Sequence, residues 1–258
     1  MSPRSLYLSR RDWTLGALAV LATPASASPR DAPFDPTRGP PGLSPQDEER
    51  LGDLYVDAWN KQRGVDGPRS AETQAIDAYL TQVGTPLTTH LRRPLTYTFE
   101  VDTHPEYISG FALPGGRIIV GSGILTLCDS EDALAAVLGH EIMHVDLGHT
   151  TQRMAEVQQE EHIPNERRAE IPPGAYGASG THEQELAADR EGVIAAVQAG
   201  YSPYGLRRLF ELFQFIFRTY TLPPNALTIE ARIAQLDAMI QERGWTNLRD
   251  AKKPLQLP

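Results

Sequence analysis

Residues 130–148 read Ser130-Glu131-Asp132-Ala133-Leu134-Ala135-Ala136-Val137-Leu138-Gly139-His140-Glu141-Ile142-Met143-His144-Val145-Asp146-Leu147-Gly148. Ser130 offers a helix cap, Glu131 and Asp132 put negative charge in the first turn, and no strong breaker intervenes before Gly148. The stretch therefore predicts a helix over 130–147. On it, His140 and His144 project about 40° apart around the axis and one turn apart along it. Two imidazoles so placed can bind one tetrahedral metal ion, and Glu141 beside the first can take a proton from an attacking water. Chance placement produces this pattern roughly once in a hundred such chains. A third ligand is therefore required.

Glu185, within Glu185-Leu186-Ala187-Ala188-Asp189, is the best candidate. A helix is predicted over 183–199, after a loop rich in Pro, Gly and Ser at 172–181. Glu183 competes at a two-residue offset, but only Glu185 has an aspartate one turn on. Asp189 can accept the outer N–H of a ligating histidine and hold its tautomer. Small Ala187 and Ala188 permit close helix approach. The bland alternative is a solvated acidic face. His149, five residues past His144, would lie about 140° around a continuing helix, which favours a surface or second-helix contact over ligation. His182, Arg190 and Arg232 are candidates to stabilise a substrate oxyanion, and capping or local ion pairs are their other roles.

Upstream, Leu95, Tyr97, Phe99 and Val101 alternate with polar residues and read as a strand. Tyr107–Leu113 and Arg117–Val120 read as two more, joined by the Pro114-Gly115-Gly116 turn. Helices are predicted over 47–63, 70–83, 150–162, 203–219 and 228–242. The order of helices, small sheet and helices reads as α+β. The apolar run Leu209 to Phe217 reads as core helix.

At the start, Arg4, Arg10 and Arg11 precede the short apolar run Thr14–Ala22 and the small residues Ala25-Ser26-Ala27. Residues 1–27 thus read as an export signal peptide, by the Sec or the twin-arginine route, too short for a stable membrane span. Residues 28–45 form a Pro-rich linker and 46–258 the folded domain. Cys128 is the single cysteine, so no intrachain disulfide exists, and it reads as a small buried side chain. The net charge of −9 argues against a nucleic-acid partner.

Four ordered elements together resemble the gluzincin zinc metallopeptidase family that includes HtpX and the CAAX prenyl proteases, in its soluble exported bacterial branch. They are Tyr107–Gly116 followed by Ile118-Ile119-Val120, then His140–His144, then Glu185–Asp189, then Ala199-Gly200-Tyr201-Ser202-Pro203. The resemblance implies a mainly helical zincin-type fold and one zinc ion held by His140, His144 and Glu185, with Glu141 as general base. It also implies that Tyr107–Leu113, with Ser109, Gly110, Phe111 and Ala112 at its centre, is an edge strand for an extended polypeptide substrate. Two departures stand out. Ser109-Gly110 replaces the Asn-Ala common in relatives, and no histidine shortly precedes Arg232-Ile233. The expected function is zinc-dependent endoproteolysis of exported or envelope proteins in the bacterial periplasm, in quality control. The departures motivate the alternative of a chaperone-like, zinc-stabilised binding protein with little proteolysis. Residues 155–182, linking the metal helix to the third ligand, are positioned to act as a lid.

Overall fold

The computed structural model describes residues 43–258, apart from 66, 172, 177–179, 217, 219–226 and 249–252. The expected signal peptide and nearly all of the linker lie outside the described residues. The chain is a mainly helical α+β fold, as its patterning predicts. Its helices are α1 (Pro45–Gln62), α2 (Ala71–Gly84), the single turn α3 (Ser122–Leu125), α4 (Glu131–Asp146), α5 (His149–Glu160), α6 (His182–Gln198), α7 (Gly205–Ile216) and α8 (Ile229–Glu242). No described helix is long and apolar enough to cross a membrane.

The sheet has three strands, β1 (Thr98–Asp102), β2 (Gly110–Leu113) and β3 (Arg117–Gly121), in the order β1-β3-β2. β1 runs parallel to β3, with Phe99 opposite Ile118, and β2 runs antiparallel to it, with Phe111 opposite Ile119. Every residue of β3 is buried, because the sheet is covered on both faces. Phe99, Val101, Ala112, Ile118 and Val120 join the main core with α2 and α4. Phe111, Leu113 and Ile119 join a second cluster with Leu51 and Tyr55 of α1, and with Met154, Val157, Ile171 and Tyr176. From the segment expected to act as a lid, Val157, Ile171 and Tyr176 thus pack on the face of the sheet that α1 covers. Tyr176 Oη stands 3.1 Å from Tyr55 Oη, which donates to the Arg168 carbonyl at 2.7 Å.

One expectation is corrected here. The second strand begins at Gly110 rather than Tyr107, and a turn closed by Tyr107 N–H to the His104 carbonyl precedes it. His104 is half-buried with Nδ1 2.7 Å from Asp102. Cys128 is buried as expected, and burial pushes its thiol up to about 12.

α4 is the axis of the molecule: every residue from Asp132 to Asp146 is buried. A helix buried on all sides is apolar all round, which suits the run Ala133–Leu138. Ser130 caps it by accepting from Ala133 N–H at 3.2 Å. Asp132 in the first turn accepts from the Ser202 and Lys253 amides, tying the start of α4 to the chain after α6 and to the C-terminal segment.

Candidate metal centre

The centre lies where α4 crosses α6. The crossing is tight because each helix has a glycine there. A Cβ built on Gly139 would fall 2.7 Å from the Gly192 carbonyl oxygen, and one on Gly192 would fall 2.7 Å from Gly139 C. Ala187 and Ala188 were the expected small contacts. Ala188 is buried, but the backbone-to-backbone approach is made by Gly139 and Gly192. Thr181 caps α6 through a reciprocal pair of bonds with Gln184. The phase this sets leaves Glu183 exposed and turns Glu185 and Asp189 into the crossing, both fully buried.

The structure therefore brings together His140, His144 and Glu185, whose nearest donor atoms all lie within 4.8 Å of one another. His140 Nε2 and His144 Nε2 are 3.1 Å apart. Glu185 oxygens stand 3.5 Å from His140 Nε2 and 3.6 Å from His144 Nε2. Ligand bonds of about 2.0–2.1 Å in tetrahedral geometry place donor atoms about 3.3 Å apart, so the three residues fit one small divalent ion. Both Glu141 oxygens and Glu185 Oε2 are buried without hydrogen-bond partners among the described residues. Uncompensated buried acceptors of this kind suit a cation. The remaining Glu185 oxygen accepts from the Gly180 amide at 3.2 Å.

Around these groups lies a layer of oriented partners. Asp189 Oδ1 is 2.9 Å from His140 Nδ1. Arg232, on α8, donates to both Asp189 oxygens, at 2.6 and 2.5 Å, and lies 3.7 Å from Glu185. Its guanidinium also sits over the Phe210 ring and is wholly buried. Of the two roles open to Arg232 from the sequence, oxyanion stabiliser or carboxylate partner, the pairing with a carboxylate is the one seen here, through Asp189. His149 has its Nδ1 3.0 Å from His144 Nδ1. Expected to turn away from the histidine pair, it instead meets His144 from the start of α5. α4 stops, Gly148 turns left-handed at φ 77°, and α5 starts at His149, so extrapolating α4 misplaces it. His182 opens α6, half-buried, with Nε2 shielded and without a hydrogen-bond partner among the described residues. Arg190 is exposed and pairs with Glu191.

Burial dominates the electrostatics. It raises the Glu141 carboxyl to about 7, with His140 opposing and Glu185 adding to the rise. Glu185 is raised by burial, against the pull of His140 and Arg232. Burial also raises Asp189, yet the charge and bonds of Arg232 and the bond to His140 leave it lowered. Burial and His140 push His144 well down and bring His149 to about 4.

β2 is the outer strand of the sheet, as expected of an edge strand, and Gly110, Phe111, Ala112 and Leu113 are all buried. Ser109 is buried just before the strand, its hydroxyl donating to the Gly110 carbonyl. Gly110 abuts the centre: a Cβ there would lie 2.9 Å from Glu141 Oε1. Trp59 and Tyr107 flank Phe111, with the Trp59 and Phe111 ring centroids 4.5 Å apart.

Comparison with known proteins finds similarity to peptidases. Residues 74–163 match the model described as Peptidase family M48. The Escherichia coli Beta-barrel assembly-enhancing protease is 25% identical over 205 residues, 72% of this chain and 41% of that protein. The Mitochondrial metalloendopeptidase OMA1 of Schizosaccharomyces pombe is 47% identical over 47 residues, and that of Saccharomyces cerevisiae 38% over 47, each 18% of this chain and 14% of the relative. The chain thus spans less than half the length of the relatives it matches. The segment that matches the family model runs from α2 through α5 and includes His140, Glu141 and His144, so over that segment the chain is similar to Peptidase family M48.

Proposed function

We propose that this protein is a zinc-dependent endopeptidase that cleaves exported or envelope polypeptides in quality control. The carrying observation is the cluster of His140 Nε2 and His144 Nε2, 3.1 Å apart, with Glu185 Oε2 3.5 Å from the first and Glu185 Oε1 3.6 Å from the second, next to a Glu141 carboxylate without a hydrogen-bond partner among the described residues. A zinc ion in that cluster would supply a Lewis acid that polarises a carbonyl and acidifies water. His140 and His144 would hold it through ring nitrogens, and Glu185 would add an anionic oxygen. Glu141 accepts a proton from the attacking water. As the carbon–nitrogen bond breaks, Glu141 returns that proton to the leaving amine. Asp189 holds the His140 ring, with Arg232 balancing its charge.

The export reading rests on residues 1–27, and the envelope setting draws on the printed name of the Escherichia coli relative. Ser109–Ala112, next to Glu141, is the segment assigned to polypeptide pairing. Glu141→Gln should retain about one zinc per chain and lose peptide cleavage by about 10²–10⁴-fold. Metal analysis with peptide-cleavage rates checks this, and equal cleavage by both proteins sinks the mechanism. N-terminal sequencing of exported protein should find Ser28 first, and an intact Met1 would remove the export part.

A further inference from the structure

We propose that His149 is a positioning residue for His144: its Nδ1 accepts the proton of His144 Nδ1 and leaves His144 Nε2 aimed, as a lone pair, into the ligand cluster. The inference rests on the reading that His140, His144 and Glu185 hold zinc.

His144 Nε2 stands 3.1 Å from His140 Nε2 and 3.6 Å from Glu185. A nitrogen that binds a metal carries no proton, so neutral His144 keeps its proton on Nδ1. The atom facing that proton, at 3.0 Å, is His149 Nδ1. Two N–H groups cannot face each other there, so His149 Nδ1 is the acceptor and its own proton sits on Nε2. The His144 and His149 ring centroids are 5.0 Å apart at 68°, an edge-on approach rather than a stack.

Charge explains why the acceptor is an imidazole. The carboxylates of Glu141, Glu185 and Asp189, with the Arg232 guanidinium, are all wholly buried. With a divalent ion they leave the centre formally neutral. A carboxylate at position 149 would add an uncompensated charge to a desolvated site. The two ligand histidines are thus oriented differently: His140 by an anion paired to arginine, His144 by a neutral ring. The device depends on the left-handed turn at Gly148, which brings the first residue of α5 back onto α4.

The test uses the full chain, apo and reconstituted with zinc or cobalt(II). His149→Asn keeps an acceptor oxygen near the place of Nδ1, and His149→Leu is its apolar counterpart. Zinc affinity is read by chelator competition, ligand geometry by the cobalt absorption spectrum, and folding by the apo melting temperature. The expected result is a loss of zinc affinity of about 10–100-fold in His149→Leu. Its cobalt bands should shift, whereas His149→Asn should stay within a few-fold of wild type and both apo variants should melt alike. Wild-type zinc affinity and cobalt spectrum in His149→Leu would overturn the proposal. So would equal losses in the two variants. Should His149→Leu fail to fold, His149→Phe against His149→Asn gives the same comparison with a ring retained. Failure of the wild type to bind zinc would instead overturn the reading of the cluster itself.

Discussion

Asp189 links the His140 ring to the Arg232 guanidinium. It meets the His140 ring with one oxygen and takes Arg232 on both. Burial would raise its carboxyl, yet Arg232 and His140 hold it below the usual aspartate value. Asp189→Asn keeps the shape but leaves the Arg232 charge buried without a counter-charge at that position. Breaking a buried pair from one side costs about 3–5 kcal/mol. Urea denaturation of the apo protein should show a loss of that size. Chelator competition should show zinc held about 10–100-fold more weakly. Unchanged stability with unchanged zinc affinity would mean that Asp189 neither balances Arg232 nor orients His140.

At the scale of elements, the crossing of α4 and α6 matters more than either helix alone. His140 and His144 come from one helix and Glu185 and Asp189 from the other, and their spacing is set by how closely the backbones approach. Gly139 and Gly192 set that approach, each within 2.7 Å of where the other's Cβ would meet backbone. Gly192→Ala inserts a methyl group into backbone that has no room to yield. Overpacking of this kind costs about 1–3 kcal/mol. Here it should also push Glu185 away from the histidines. Thermal melting of the apo form and zinc titration should both register it, with α6 still helical by circular dichroism. A variant as stable and as tight for zinc as wild type would show that the crossing can relax.

Across the whole molecule, long-range polar ties hold the layers in register. Asp102, at the end of β1, accepts from Trp59 Nε1 at 3.0 Å and Arg63 Nε at 2.8 Å, both from the end of α1, and from the His104 amide. Burial alone would raise its carboxyl, but the bonds from His104 and Arg63 leave it lowered. The stability it contributes is therefore full above the ordinary aspartate value of about 3.9. It is lost as pH falls through the lowered value. Asp102→Asn should cost about 1.5–3 kcal/mol at neutral pH. The gap to wild type should narrow as the pH is taken below about 4. Melting curves of the apo protein from pH 7 to pH 3 measure both. A gap that stays constant would mean that the Asp102 carboxyl titrates alike in the folded and unfolded chain.

Periodicity and caps alone determined the fold class, the helices around the centre and the candidate ligands. A 3.6-residue repeat places His140 and His144 on one face whatever packs against them, and an aspartate one turn past Glu185 decided its phase over Glu183. The separate contributions of β1, β2 and β3 were legible as apolar alternation, but not the parallel pairing of β1 with β3, which needs no adjacent turn to announce it. Tertiary structure alone decided the three contacts that complete the centre. Arg232 reaches Asp189 from 43 residues away. Gly139 meets Gly192 across two helices. His149 returns to His144 because a glycine turn ends one helix and starts another. Such contacts depend on where separate elements cross or turn, and a local repeat carries no information about distances between elements.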